Sequence, residues 1–172
     1  YLCDIARPDV TLVNNIQHAH IEGFGSIEGV ATAKSEIYRG LKPSGTAVIN
    51  LDLGWSDAWL TEFSDKQCLT FSTEQNNADV VAENICVLDT GCCQFDLCNG
   101  KARKSVTLPV PGIHSVKNAV AAAACCIDEL NSNSESCSMV FEYRCKSTSI
   151  RLLSSARLAE NGVPDNVLLY TC

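Results

Sequence analysis

Residues able to handle a metal ion or a phosphoryl group gather near the start of the chain: His18, His20 and Glu22 in one polar stretch, then Lys34. Two histidines at i, i+2 are a weak metal-ligand signal, because surface loops carry the same pattern. Lys34 is the sharper feature. Ile27, Val30, Ala31, Ile37, Tyr38 and Leu41 recur at the helical period, and Lys34 fills the gap in that stripe. A lysine on an inward face must be paired or uncharged, since burial disfavours an ammonium. A neutral amine is a nucleophile and can take up carbon dioxide to become a carbamate. The plainer alternative is a lysine whose stem lies on the apolar face while its head reaches the helix edge.

The elements that must position these groups are legible nearby. Val10 to Val13 is a short apolar, β-branched run, which predicts a buried strand. Ser26 as N-cap, Glu28 in the first turn and Gly40 near the end bound a helix. Lys42-Pro43-Ser44-Gly45 is a turn, and Thr46 to Asn50 a second strand, so the unit is strand–helix–strand in a parallel sheet. Open α/β sheets place ligands at the carboxyl ends of their strands. Asn50 and Asp52 stand at such an end, where an Asx turn is the commoner reading.

Further on, Ser56 or Asp57 is expected to cap a short helix through Phe63, and Cys68 to Phe71 to form a third strand. Val80 to Leu88, Cys93 to Leu97 and Ser105 to Leu108 read as an antiparallel meander, with a type I′ turn at Asn99-Gly100. Pro109-Val110-Pro111-Gly112 should break the chain before a helix from His114 to Leu130. Met139 to Tyr143 fits helix or strand, and Leu158 to Tyr170 reads as a hairpin. The expected fold class is α/β: part of a mostly parallel sheet flanked by helices, with an antiparallel meander.

Composition bounds the function. The chain has 172 residues, 46% hydrophobic and 19% charged, which fits a globular domain or a large part of one. A net charge of -7 and the lack of a basic stripe argue against nucleic acid. No apolar run approaches the ~20 residues that span a bilayer. Eleven cysteines are many, yet they lack zinc-type C-x-x-C pairs. The alanine-rich setting of Cys125 and Cys126 suits reduced, space-filling thiols.

Two blocks carry a family resemblance. Arg7-Pro8-Asp9, Asn14-Asn15, Ala19 to Ser26 and Ala33 to Ile37 form the first; Leu108 to His114 with Asn118 to Ala123 forms the second. In that order they resemble the central domain of the Mur ligases, most of all the MurF type. The resemblance implies an ATP-dependent carboxylate–amine ligase of the cytoplasm, acting in peptidoglycan precursor synthesis as a monomer. Its substrates would be UDP-N-acetylmuramoyl-tripeptide and D-alanyl-D-alanine, joined through an acyl phosphate. It implies Mg2+ held by His20 and by a carbamate on Lys34, and ATP contacts from His114, Asn118 and Arg151. Residues 1–130 would be part of the central domain and 131–172 a divergent end of it.

The sequence also departs from the family pattern. His114 is followed by Ser115 where the family has asparagine, and Ser149-Ile150-Arg151 replaces Pro-Gly-Arg. No G-x-x-x-x-G-K-[ST] phosphate loop is present. In the family that loop lies before the strand at Val10, so these residues are expected to be a fragment, inactive without the N-terminal, phosphate-loop and C-terminal parts. Folylpolyglutamate synthase or cyanophycin synthetase type ligases are a second reading, opposed by the Glu22 to Ser26 string. A non-catalytic, degenerate domain is a third.

Overall fold

The computed structural model describes residues 5–17, 21–130, 140–145, 148–153 and 167–170, with side chains described for 5–17 and 23–127. Contacts divide the chain into two units, Tyr1–Phe71 with Pro164–Cys172, and Ser72–Val163.

The first unit is built on four parallel strands. β1 (Val10–Val13) lies between β9 (Val167–Tyr170) and β2 (Thr46–Asn50), and β2 pairs in turn with β3 (Gln67–Ser72). Both β1 and β2 are buried along their whole length, which explains their continuous apolar reading. The helix α1 (Ile21–Phe24) leads into α2 (Ile27–Arg39), which crosses from β1 to β2; α3 (Ser56–Glu62) crosses from β2 to β3. The core holds Val13, Ala31, Ile37, Tyr38, Ala47, Ile49, Trp59 and Phe63. Tyr38 meets Trp59 and Phe63 with ring centroids 5.7 and 5.2 Å away, both tilted as aromatic quadrupoles prefer. At the opposite end of β1, Lys42 Nζ donates to both Asp9 oxygens at 2.7 and 2.8 Å, closing the loop after α2 onto the strand start.

The second unit is a meander of β4 (Val80–Val87), β5 (Cys92–Asn99) and β6 (Ala102–Pro111), followed by α4 (Ile113–Leu130). Buried Val116, Val120, Ala123, Ala124 and Ile127 line one face of α4, the spacing of a helix laid on a sheet. A hairpin of β7 (Val140–Cys145) and β8 (Thr148–Leu153) follows, so the ambiguous Met139 to Tyr143 stretch is strand from Val140.

The α/β class with an added meander is what the sequence implied, and the strand–helix–strand unit is present. Several local expectations are corrected. Ser56 is the first residue inside α3, not its cap; Trp55 holds that position without a side-chain bond. The β5–β6 turn residues are Gly100 and Lys101, since Asn99 pairs with Ala102. Only Gly100 there has positive φ, +54°, so the turn is of the II′ kind rather than I′. Pro109 and Pro111 do not break the strand; they lie exposed on β6, where a missing N–H is tolerated at an edge. Within the first turn of α4 the Ser115 hydroxyl donates to the Pro111 carbonyl. The second arm of the expected late hairpin is present as β9, which pairs parallel to β1; residues 158–166, which would hold the first arm, lie outside the described residues.

Candidate functional site

α2 begins where the sequence placed it. Ser26 accepts a hydrogen bond from the Gly29 amide at 3.1 Å, capping the helix. The chain reaches that cap through a close approach: a β-carbon on Gly29 would collide with the Phe24 carbonyl oxygen. Glycine therefore lets α1 fold tightly against the start of α2.

Lys34 faces inward and is 6% exposed. Its Nζ donates to the backbone carbonyl of Asn15 at 2.9 Å, so it does not snorkel to the helix edge. Asn15 lies just beyond the carboxyl end of β1. From the next strand, Asn50 Nδ2 donates to the Asn14 carbonyl at 2.9 Å, and Asn50 Oδ1 accepts the Asp52 amide at 2.9 Å. That second bond is the expected Asx turn. The first was not foreseen, and it places a buried amide across the two strand ends. Tyr38, one helical turn after Lys34, adds a third tie. Its hydroxyl accepts from the Val13 amide and donates to the Val48 carbonyl, each at 3.1 Å. A tyrosine inside an apolar stripe was the available signal, since a buried phenol needs a polar partner.

His20 lies outside the described residues, as does His18. His114 is exposed in the first turn of α4, its ring against Gly112, where φ is +96° and a side chain would strike the imidazole. Asn118 is half-buried one turn later on the same helix. Arg151 is on β8, with its side chain outside the described residues. Lys34 thus belongs to the first unit, and His114, Asn118 and Arg151 to the second. Among the described residues, no three His, Cys, Asp or Glu side chains cluster as a metal site. Magnesium takes oxygen ligands, several at a time. A carbamate on Lys34 would supply two, which suits an oxygen-seeking ion as an amine does not.

The class defined here is a parallel α/β domain with buried polar groups gathered past the ends of β1 and β2; open sheets of this kind place ligands at the carboxyl ends of their strands. Residues 1–126 match the family model described as the Mur ligase middle domain. The chain belongs to the Mur ligase family through that domain. It is similar, at 42% identity over 120 residues, to the UDP-N-acetylmuramoyl-tripeptide–D-alanyl-D-alanine ligase of Escherichia coli (strain K12), covering 70% of this chain and 26% of that protein. The Haemophilus influenzae ligase of the same name is 42% identical over 124 residues, covering 72% and 26%. Among solved structures, MurF from Acinetobacter baumannii superposes with a TM-score of 0.64 at 33% identity, over 72% of this chain and 26% of that one. MurF from Thermotoga maritima, solved in complex with ADP, gives 0.58 at 27% identity, over 76% and 29%. The chain spans about a quarter of the length of the curated relatives it matches.

Proposed function

We propose that this chain is the ATP-handling core of a ligase that joins D-alanyl-D-alanine to UDP-N-acetylmuramoyl-tripeptide in peptidoglycan precursor synthesis. The supporting observation is the seating of Lys34, buried and bonded to Asn15 O at the sheet's carboxyl edge, in a chain 42% identical to a ligase of that name. The Lys34 amine attacks carbon dioxide, an N–C bond forms, and one amine proton leaves to solvent. The carbamate oxygens and His20 would hold magnesium. Magnesium, when bound, neutralises charge on the ATP phosphates.

A carboxylate oxygen of the tripeptide attacks the γ-phosphorus of ATP, and ADP departs. The amine of D-alanyl-D-alanine attacks the acyl carbon of the resulting acyl phosphate, phosphate departs, and the amine nitrogen sheds a proton. His114 and Asn118, at the start of α4, are assigned to the adenine of ATP, and Arg151 to its phosphates. A cytoplasmic, monomeric enzyme is part of the same proposal. The test is phosphate release by the complete protein with ATP, magnesium and both substrates. Release that requires D-alanyl-D-alanine supports the assignment, and release with glutamate or a folate but not the dipeptide overturns it.

A further inference from the structure

We propose that the Tyr38 hydroxyl is a positioning group for Lys34, a role that rests on the reading of Lys34 given above. Both side chains leave the same face of α2, one helical turn apart, and both bond to the end of β1. Tyr38 Oη takes the Val13 amide and gives its proton to Val48 O, so one phenol joins α2 to β1 and to β2. Two residues beyond Val13, the Asn15 carbonyl accepts from Lys34 Nζ. The helix is thus held to the sheet by a rigid side chain close to where its flexible one must be aimed. Packing seats the helix on the sheet, and the two directional bonds of one phenol add a specific height along β1.

The ring and the hydroxyl have separable tasks. The ring packs on Trp59 and Phe63 and belongs to the core. The hydroxyl contributes the tie. Tyr38→Phe keeps the ring and removes the tie, and the Val13 amide and Val48 carbonyl, on adjacent strands in register, can still pair with each other. The variant should therefore fold. Without the tie, α2 is expected to settle at a different height on β1, taking the Lys34 amine from its present distance to Asn15 O.

The experiment compares Tyr38→Phe with wild type in the complete protein. Expected are a fall in kcat of about tenfold, since misplacement of the order of 1 Å is costly in oriented sites, an ATP KM within about twofold of wild type, and a higher bicarbonate concentration for half-maximal activity. A crystal structure of the variant gives the second readout, with Lys34 Nζ beyond hydrogen-bond distance of Asn15 O. Wild-type kcat in Tyr38→Phe, or Lys34 still bonded to Asn15 O in its crystals, overturns the proposal. If wild type itself is indifferent to removal of carbon dioxide, the carbamate reading fails, and the crystallographic distance alone still decides the part assigned to Tyr38.

Discussion

Lys34 and Asn50 reach neighbouring peptide carbonyls from different elements: Lys34 Nζ donates to Asn15 O, and Asn50 Nδ2 to Asn14 O, each at 2.9 Å. The turn that leaves β1 is thereby held by a helix and by the adjacent strand at once. If Lys34 carries the ligand oxygens for magnesium, Lys34→Ala and Lys34→Arg should both reduce ligation by the complete protein, by about 10²-fold or more. Arginine keeps a positive charge but forms no carbamate, so Lys34→Arg separates charge from chemistry. Ligation by Lys34→Arg at the wild-type rate would remove Lys34 from the reaction.

Asn50 is 3% exposed and satisfies both the Asn14 carbonyl and the Asp52 amide. Asn50→Leu fills the same space but strips both partners of a buried bond. The cost should be about 1–3 kcal/mol per group left unsatisfied, read as a lower denaturant midpoint with unchanged slope. A midpoint equal to wild type would mean that water or a neighbour replaces the amide at no loss.

Gly29→Ala pits two effects against each other. Alanine favours a helix over glycine by about 1 kcal/mol. The new methyl, however, would meet the backbone carbonyl of Phe24, which cannot swing aside as a side chain would. Overpacking of this kind costs typically about 1–3 kcal/mol, so the variant should be destabilised despite its better propensity. A thermal midpoint above that of wild type would contradict the close approach of α1 to α2.

The meander carries a pH-sensitive corner. Asn84, at φ +53° on the β4 bulge, donates to Asp96 Oδ2 at 2.8 Å, and Arg103 Nη1 donates to the same oxygen at 3.1 Å. The Asn84 bond first, then Arg103, holds the Asp96 carboxyl below the usual carboxylate range. A depressed folded pKa stabilises above the unfolded value, near ~3.9, and that support is lost as pH falls through the lower folded value. Asn84→Gly keeps the left-handed backbone at little strain and deletes the donor. It should move the Asp96 titration, followed by NMR, upward toward the ordinary range; an unmoved midpoint would leave Arg103 as sole cause.

Seven cysteines among the described residues are free thiols. Cys86 is exposed, whereas Cys125 is 4% exposed and burial pushes its thiol pKa well up. Because the thiolate is the reactive form, a maleimide should label Cys86 in the native protein. Cys125 should react only on unfolding. Mass spectrometry of the digested protein reads both sites, and native labelling of Cys125 would show that α4 opens locally.

Much of the fold was written in contiguous residues. Ser26 before a helical stripe, Gly40 after it, and β-branched runs at Val10 and Thr46 depend on neighbours a few positions away, and each stands where the local pattern placed it. Local errors arose where several backbones suit one sequence. Asn99-Gly100 fits more than one two-residue turn, and Pro109 and Pro111 are harmless on an exposed strand though they would interrupt a central one.

Of the site, the sequence by itself put Lys34 in the inward stripe of α2, because helical periodicity fixes that position, and left open whether its head stays buried or reaches the helix edge. It did not determine what Lys34 would meet. Asn15, Asn14, Val13 and Val48 are brought to Lys34, Asn50 and Tyr38 across separations of 10 to 36 residues. Only packing of α2 on a sheet whose strands are already in register makes such pairs neighbours. The parallel pairing of β9 with β1 belongs to the same tertiary category, since no local pattern tells a strand which distant edge it will join.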